Sequence, residues 1–237
     1  MPRRRRSAQR VPTPCVGTHG RDVPRRTRLA DNKAQATQSV ATRHSHGDRG
    51  NEINRSFMQL SFPPLSGLVQ LEPRVFSDAR GYFLETFQSL RFAEAGLPTT
   101  WVQDNISRSK RGTIRGLHYQ HQQPQGKLVT VIHGMIWDVA VDLRKSSATF
   151  GQWYGVELSD ENHWLLYIPP GFAHGFCALS ETADVLYKCT ALYQPGDERT
   201  LLWNDPALGI DWPAIEPQLL SPKDELGKFL RDADVYP

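Results

Sequence analysis

The sequence predicts a mainly β protein, built as an antiparallel sandwich or barrel with few helices. From Met58 onward, short runs rich in Val, Ile, Leu and aromatic residues follow one another. Turn-forming residues, such as Asp78-Ala79-Arg80-Gly81 and Pro169-Pro170-Gly171, separate these runs. The length of 237 residues is enough for one such domain. The predicted strands are Gly67–Leu71, Tyr82–Thr86, Trp101–Ile106, Lys127–His133, Ile136–Leu143, Gln152–Leu158, Trp164–Ile168, His174–Leu179 and Ala183–Ala191.

The run Ile136–Leu143 has the alternation of a strand with two different faces. Side chains point to opposite sides along a strand, and every second residue from Trp137 onward is apolar. We expect that face to pack in the core. The other face carries two carboxylates, Asp138 and Asp142, beside apolar groups, which favours the wall of a cavity over open solvent.

Helical signals are few and short. Leu90–Ala95 is predicted as a helix ended by Gly96, and Ser159–Asn162 as a helical turn capped by its serine. A C-terminal helix is predicted over Asp224–Arg231, with Ser221 near its start. No internal repeat is visible.

Charge divides the chain into a basic tail and an acidic body. Residues 1–57 hold 13 Lys and Arg against 4 Asp and Glu, a net charge of +9, and the remainder holds 15 against 21, a net charge of −6. The tail is polar and aperiodic, so residues 1–57 are interpreted as a disordered basic extension or as the product of a mis-called start before Met58. Residues 58–237 are interpreted as the folded domain. The Arg3–Arg6 run allows contact with nucleic acid, and a transit peptide is a further alternative, but a solvated tail without a nucleic-acid partner is preferred.

Composition also bears on compartment and redox state. No apolar stretch of about 20 residues is present, so no membrane association is predicted. Cys15, Cys177 and Cys189 form an odd, sparse set without a CxxC pair, which argues against a disulfide framework or a zinc site. The expected location is the reducing cytoplasm.

The segment Arg115–Gln120 gathers Arg, His, Tyr and Gln within six residues. On a strand, His118 and Gln120 would face the same way, with Gly116 leaving space beside them. A histidine with a near-neutral pKa is the usual general base, and a hydrogen-bonded core histidine is the alternative.

In the segment Pro169–Phe176, a Pro-Gly turn precedes His174. This arrangement resembles the second motif of cupins, in which the histidine often binds a metal. A metal site needs three or four converging ligands, and the first-motif region offers only His118 and His121 without a following Glu. No metal is therefore expected, and substrate binding is the other role open to His174.

Two phenols and several basic groups complete the candidates. Tyr187 lies on a predicted strand and Tyr193 at its end, so either could be a general acid or an ordinary residue of a sheet rim. No Gly-rich phosphate loop is present, so a diphosphate would be held by side chains. The basic residues of the acidic body that could hold it, or that are ordinary surface charges, are Arg74, Arg80, Lys127 and Lys223.

Ten segments, taken in order, resemble one family, the dTDP-4-dehydrorhamnose 3,5-epimerases. Each is a weak signal alone, but their order and spacing from about residue 67 to the C-terminus are specific. The segments are Glu72–Phe76, Arg80–Glu85, Gln103–Asn105, Arg111–Gln120, Gln125–Val129, Trp137–Arg144, Ile168–Phe176, Leu186–Thr190, Trp203–Pro206 and Leu220–Asp224.

The resemblance implies a cupin-type jelly-roll sandwich and four catalytic residues. His118 is implied as the general base and Asp224 as its carboxylate partner. Tyr187 is implied as the proton donor on the opposite face of the sugar, and Lys127 as the group that stabilises the enolate oxygen.

The resemblance also implies residues that bind the substrate. Tyr193 would stack on the nucleotide-sugar, and Asp138 would be a cavity carboxylate near His174. Direct substrate contacts are implied for Gln103, Asn105, Arg115, His174, Glu198 and Lys223. Nucleotide contacts across a dimer interface are implied for Phe76, Arg80 and Glu85.

The implied activity converts dTDP-4-dehydro-6-deoxy-glucose to dTDP-4-dehydro-rhamnose by proton abstraction and return at C3 and C5, without a cofactor. The expected partners are a dTDP-linked 4-keto-6-deoxysugar and a second copy of the chain in a homodimer. The alternatives are an epimerase of one carbon or of another dTDP-ketosugar, a non-catalytic cupin binding module and a metal-dependent oxygenase. Departures from the family pattern, at Ile106, His133, Met135 and Pro222, remove no implied catalytic group.

Overall fold

In the computed structural model, the described part of the chain is residues 57–237, and it is built mainly from short strands. Two α-helices, α1 (Ser89–Glu94) and α2 (Pro222–Glu225), and a 3-10 turn (Leu230–Asp232) complete it. The mainly β prediction with few short helices is confirmed. The strands are β1 (Met58–Ser61), β2 (Val69–Pro73), β3 (Val75–Asp78), β4 (Gly81–Leu84), β5 (Gln103–Lys110), β6 (Ile114–Gln120), β7 (Lys127–His133), β8 (Met135–Asp142), β9 (Trp153–Ser159), β10 (Leu165–Ile168), β11 (Phe172–Ala178), β12 (Thr182–Cys189) and β13 (Glu198–Thr200).

Two antiparallel sheets form the sandwich. The first sheet has six strands in the order β1-β2-β10-β7-β12-β5, and the second has five in the order β13-β6-β11-β8-β9. Strands β3 and β4 form a separate hairpin, in which Phe76 pairs with Phe83. A core cluster between the sheets joins Val129 and Val185 of the first sheet to Ala140 and Phe176 of the second.

The outer faces of the sheets are covered in part. On the five-stranded sheet, Val139 and Val141 pack against Leu208 and the C-terminal segment. On the six-stranded sheet, residues including Leu165 pack against Phe92 of α1. Burying apolar side chains on both faces explains why several strands lack a polar alternation.

The two faces of β8 are assigned differently from the sequence prediction. In the apolar set beginning at Trp137, the tryptophan is partly buried and Val139, Val141 and Leu143 are buried, as predicted, but the set lies on the outer face of its sheet under the C-terminal segment. Ile136 and Ala140, predicted to line a cavity, instead pack in the core between the sheets. Asp138 is also fully buried, behind His174. The alternation correctly separated the two faces of β8. The C-terminal segment that covers one of them has no periodic pattern, so the sequence did not show which face lies between the sheets.

The predicted C-terminal helix over Asp224–Arg231 is wrong beyond Glu225. The backbone N–H of Lys228 donates to Thr200, and the backbone N–H of Leu202 donates to Lys228. At Gly227 a β-carbon would lie only 2.6 Å from the backbone of Leu201, so the chain passes directly against β13. These bridging hydrogen bonds outweigh the weak local helix propensity.

The predicted helical turn at Ser159–Asn162 is a hydrogen-bonded turn rather than a helix. The Asn162 side-chain oxygen accepts hydrogen bonds from the backbone N–H groups of Ser159 and Trp164, at 3.1 and 3.0 Å. These contacts close a side-chain-mediated turn that competes with helix formation.

The predicted basic extension, residues 1–57, lies outside the described residues except for Phe57. Within residues 57–237, no helix has the length and apolar character needed to cross a bilayer.

Candidate active site

A cavity of about 350 Å³ lies between the two sheets and receives side chains from both. Its wall is predominantly polar and contains several ionisable groups, as expected for a site that binds a charged ligand. The lining residues are Gln103, Asn105, Ser107, Lys127, Tyr187 and Cys189 from the six-stranded sheet, Arg115, His118, His174, Gly175, Phe176 and Glu198 from the five-stranded sheet, Lys223 from α2, and Gln125 and Tyr193 from connecting segments.

His118 lies on β6 and is held by a buried carboxylate. Its Nε2 lies 2.6 Å from Oδ1 of Asp224, whose residue is only 3% exposed. A carboxylate accepts hydrogen bonds, so Nε2 carries the proton and Nδ1, on the other side of the ring, keeps its lone pair. Burial lowers the pKa of the His118 imidazole, while the hydrogen bond to Asp224 opposes that shift. The neutral, base-competent form is therefore favoured near neutral pH.

Asp224 is positioned by the first turn of α2. Ser221 caps this helix, and its hydroxyl donates to the second carboxylate oxygen, Oδ2, of Asp224 at 2.7 Å. Burial raises the pKa of Asp224, but hydrogen bonds from His118 and Ser221 outweigh it, so the net pKa is lowered. Asp224 therefore stays ionised beside the imidazole.

Tyr187 reaches the same cavity from the opposite sheet. It lies on β12, where it pairs with Asn105 of β5 and Val129 of β7, so it occupies the interior of the six-stranded sheet. The pKa of its phenol is raised, mainly by burial and to a smaller extent by the nearby thiol of Cys189. The phenol therefore remains protonated at neutral pH and can donate a proton from the side opposite His118.

Lys127 opens β7 and lines the cavity beside Tyr187. It pairs in register with Cys189 of β12 and with Ile168 of β10. Burial lowers the pKa of its ammonium group, while Cys189 and Asp138 raise it. A weakly solvated ammonium group of this kind is suited to stabilising negative charge that develops on a ligand oxygen.

His174 and Asp138 form a second imidazole–carboxylate pair. Nε2 of His174 lies 2.7 Å from Oδ1 of Asp138, and both side chains are buried. His174 stands directly opposite His118 in the pairing of β6 with β11, so the two imidazoles are neighbours on the five-stranded sheet.

Two glycines allow this close approach of β6 and β11. A β-carbon at Gly116 would lie 2.5 Å from Cα of Gly175, and one at Gly175 would lie 2.6 Å from the carbonyl oxygen of Arg115. The pairing of the strands also shifts register between His174 and Phe176. Larger residues at either glycine would separate the strands that carry the histidines.

A polar cluster fixes the aromatic ring of Tyr193 at the edge of the cavity. Its phenol donates to Oε2 of Glu198 at 3.0 Å, and its backbone N–H donates to Oε1 of Gln103 at 2.8 Å. The ammonium group of Lys223 lies 2.9 Å from the other oxygen of Glu198. The residue remains 46% exposed, and its ring offers a face on which a planar group can stack.

Gln103, Asn105 and Arg115, also predicted as substrate contacts, line the cavity with their hydrogen bonds partly occupied. The Gln103 amide donates to Oδ1 of Asn105 at 2.9 Å. Nε of Arg115 donates to the hydroxyl of Ser109 at 2.9 Å, which orients the guanidinium across the gap between the sheets.

Three predicted nucleotide-binding residues do not line the cavity of their own chain. Phe76 packs against Phe83 within the β3–β4 hairpin, and Arg80 at the hairpin turn bonds Asp78. The carboxylate of Glu85 pairs with an arginine of α1. A single chain therefore does not bring these three residues to His118.

Five lining residues were not singled out from the sequence. Ser107, Phe176 and Cys189 each follow a predicted site residue by two positions on the same strand, namely Asn105, His174 and Tyr187. Alternation along those strands could have identified all three. The other two, Gln125 in a loop and Gly175 through its backbone, give no such signal. Among residues 57–237, the His, Cys, Asp and Glu side chains form no group of three suited to holding a metal ion.

Comparison with known proteins gives a consistent family match. A family model described as dTDP-4-dehydrorhamnose 3,5-epimerase matches residues 63–232. The dTDP-4-dehydrorhamnose 3,5-epimerase of Pseudomonas aeruginosa is 55% identical over 171 residues, which is 72% of this chain and 94% of that protein. The enzyme of the same name from Methanothermobacter thermautotrophicus is 54% identical over 174 residues, covering 73% and 94% of the two chains.

A solved structure extends the match to three dimensions. The dTDP-6-deoxy-D-glucose-3,5-epimerase of Legionella pneumophila, crystallised with dTDP-4-keto-L-rhamnose, superposes with a TM-score of 0.73 at 50% identity. The alignment covers 75% of this chain and 95% of that one. The cupin-type sandwich implied by the sequence resemblance is confirmed by this likeness.

Proposed function

This chain belongs to the dTDP-4-dehydrorhamnose 3,5-epimerase family, and we propose that it converts dTDP-4-dehydro-6-deoxy-glucose to dTDP-4-dehydro-rhamnose in dTDP-L-rhamnose biosynthesis. The enzyme is an isomerase acting on a nucleotide sugar. The observation that carries the proposed mechanism is one cavity in which the imidazole of His118 and the phenol of Tyr187 come from opposite sheets.

Inversion at C3 and C5 requires two different groups around one sugar ring. A proton next to a ketone is far less acidic than any side chain, so its removal must be coupled to stabilisation of the enolate. A single base returns the proton to the face from which it came. Net inversion therefore needs a donor on the other face, and His118 and Tyr187 can supply this pair.

His118 is the proposed base at both carbons. Its protonated Nε2 is occupied by Asp224, which leaves Nδ1 to accept the proton from carbon. Asp224 then faces a newly charged imidazolium and stabilises it, as in other His–Asp pairs. Its second oxygen, held by Ser221, prevents the carboxylate from rotating away.

Lys127 is the proposed stabiliser of the enolate. Deprotonation at C3 or C5 places negative charge on the oxygen at C4, and an ammonium donor directed at that oxygen lowers the barrier for both steps. Tyr187 then delivers its phenolic proton to the opposite face of the carbanion. His118 then releases its proton to solvent and Tyr187 takes one up from solvent, which restores the starting state of the enzyme.

The remaining lining residues are proposed to bind the nucleotide-sugar. Tyr193 stacks on the nucleotide, and Arg115 and Lys223 supply positive charge for the diphosphate. His174, oriented by the bond from Nε2 to Asp138, accepts a hydrogen bond from a sugar hydroxyl at Nδ1. The other proposed substrate contacts are Gln103, Asn105 and Glu198.

A homodimer with shared sites is proposed from the position of the hairpin. Phe76, Arg80 and Glu85 lie away from their own cavity, so a partner's cavity is where they could meet a nucleotide. Beside the hairpin, the six-stranded sheet exposes apolar side chains, with Ile106 66% and Ile132 48% exposed. An apolar face of this kind supports association with a second copy.

A reducing compartment, the cytoplasm, is proposed for this enzyme. Cys177 and Cys189 are both free thiols in the folded domain, which fits proteins that work under reducing conditions.

The direct test is turnover of dTDP-4-dehydro-6-deoxy-glucose by the purified chain in D₂O, followed by NMR. We expect dTDP-4-dehydro-rhamnose with deuterium at both C3 and C5. Exchange and inversion at one carbon only would assign a single-carbon epimerase instead, and the absence of any exchange would reject an epimerase function.

A further inference from the structure

The inward face of β5 carries a row of polar side chains in which one member has no partner. Gln103, Asn105, Ser107 and Ser109 alternate along this face. The amides of Gln103 and Asn105 bond each other, and the Ser109 hydroxyl accepts from Arg115. By contrast, the Ser107 hydroxyl is buried, lines the cavity and has no hydrogen-bond partner in the protein.

An unpaired buried hydroxyl is uncommon in a folded protein. Most buried polar groups are hydrogen-bonded, and each exception calls for an explanation such as a ligand that completes the bond. Removal of such a hydroxyl would not cost the ligand-free protein a hydrogen bond. Ser107 therefore has no internal structural task that its hydroxyl performs.

Strand register fixes where Ser107 lies relative to the proposed proton donor. Ser107 pairs with Val185, and its neighbour on the same face, Asn105, pairs with Tyr187. The hydroxyl is thus one inward position, about 7 Å along the strand, from the level of Tyr187. Lys127 is on the other side of Tyr187, level with Cys189.

Arg115 approaches this end of the cavity from the opposite sheet. Its Nε binds Ser109, and its terminal nitrogen Nη2 donates to the carbonyl oxygen of Arg108 at 3.2 Å. Both anchors follow Ser107 along β5, by two residues and by one. A hydroxyl donor and a guanidinium group therefore meet where a ligand oxygen can accept from both.

We propose that Ser107 is a substrate-binding residue whose hydroxyl donates to an oxygen of the sugar diphosphate lying between Tyr187 and Arg115. The acceptor belongs to the sugar or to the phosphate attached to it, since both present oxygen to a donor at this position. The inference rests on the proposed nucleotide-sugar substrate and adds to it a contact that selects the bound pose.

The test compares Ser107→Ala with Ser107→Thr in full-length protein. We expect Ser107→Ala to weaken binding of dTDP-glucose, an unreactive dTDP-sugar, by about 5- to 20-fold, and Ser107→Thr to restore most of the affinity because it keeps a hydroxyl. The melting temperature of the ligand-free Ala variant should equal or exceed that of the wild type. A parallel titration with dTDP identifies the acceptor. If Ser107 contacts a phosphate, Ser107→Ala should weaken the binding of both dTDP-glucose and dTDP, and if it contacts the sugar, only the binding of dTDP-glucose should weaken.

Ser147→Ala is the matched control. The Ser147 hydroxyl is bonded to the buried carboxylate of Asp142 at 2.6 Å, so its loss should lower the melting temperature and leave dTDP-glucose affinity unchanged. Unchanged affinity in Ser107→Ala, or a lowered melting temperature without loss of affinity, would overturn the proposal. If the wild-type protein turns over dTDP-4-dehydro-6-deoxy-glucose, such a result rejects only the Ser107 contact. If the wild-type protein does not turn over this substrate, the proposed function itself is rejected.

Discussion

The imidazole of His118 and the phenol of Tyr187 face one cavity from opposite sheets of the sandwich. His118 is carried by β6 of the five-stranded sheet, and Tyr187 by β12 of the six-stranded sheet. A sugar ring bound between the sheets would thus present one face to each group. The sandwich would thus supply the separation between the proposed base and the proposed acid that inversion of a carbon centre demands.

Loss of the base is expected to stop chemistry at both carbons. In His118→Asn we expect kcat/KM to fall by about 10²–10⁴-fold, because general base catalysis contributes this much. Deuterium incorporation at C3 and C5 should fall together when followed by NMR in D₂O. His133→Asn, at a largely exposed histidine, is the control. Persistent exchange at one carbon would show that a second base serves it.

The pH dependence of kcat/KM should report the environment of His118. Burial lowers the imidazole pKa below its ordinary 6.5, and the active form is neutral, so activity should persist below pH 6.5 and decline as the pH falls through the lowered pKa. Asp224 raises this pKa and Lys223 lowers it. Asp224→Asn should therefore move the acid limb to lower pH, and Lys223→Met should move it to higher pH. Shifts in the same direction would contradict this assignment.

Lys127 is expected to act on the enolate rather than on folding. Lys127→Met removes the ammonium group but keeps an unbranched side chain, and it should lower kcat by about 10²–10³-fold, the usual effect of removing an oxyanion donor. Lys188→Met, one position from Tyr187 but paired with Asp104 away from the cavity, should retain activity. Steady-state kinetics of both variants measure this difference. An equal loss of kcat in the two variants would contradict the proposed role of Lys127.

Shared sites in a homodimer predict complementation between two defective chains. Arg80→Ala removes the contact that the β3–β4 hairpin is proposed to make with the nucleotide in the partner's cavity, and His118→Asn removes the proposed base. A mixed dimer has one site with an intact base and an intact partner hairpin, so mixing two weakly active variants should restore activity to about a quarter of the wild-type level. Activity that stays at the average of the two variants after subunit exchange would argue for independent sites.

A stability prediction concerns Asp142, at the end of β8. Burial opposes its ionisation, but hydrogen bonds from Arg144, Ser147 and Thr149 outweigh burial and lower its pKa from 3.8 to about 2. The stabilisation is present above the unfolded-state pKa and is lost as the pH falls toward 2. It corresponds to about 2 kcal/mol, so Asp142→Asn should lower the free energy of unfolding in urea by about this amount at pH 7 and by less near pH 2. A constant difference across this range would contradict the assignment.

Much of the fold could be predicted from the sequence because strand periodicity is a local property. Lys127–His133 is both predicted and observed as β7, and most other runs differ from the observed strands by one or two residues at their ends. Strands β1, β3, β6 and β13 have no counterpart among the predicted strands. Among the predicted runs, the one that differs most is β5, which extends to Lys110 because β12 pairs with it over its full length. Such pairing depends on a strand about 80 residues away, which no local pattern contains.

The candidate site was predictable to the extent that its residues lie in motifs. His118, Tyr187 and Lys127 were candidates from their own segments, and the resemblance added Asp224 and the individual roles. The structure brings the first three into one cavity with Asp224 behind His118. The unpaired state of Ser107 could not be predicted, because it depends on what the surrounding strands leave unsatisfied.

The most direct test of the two-sided mechanism is the fate of the substrate with Tyr187→Phe in D₂O. Since His118 is intact, we predict deuterium incorporation at C3 and C5 with the original configuration largely retained, as protons return to the face from which they left. NMR distinguishes this from dTDP-4-dehydro-rhamnose. Inversion at the wild-type rate in this variant would contradict the central claim that Tyr187 donates the proton opposite His118.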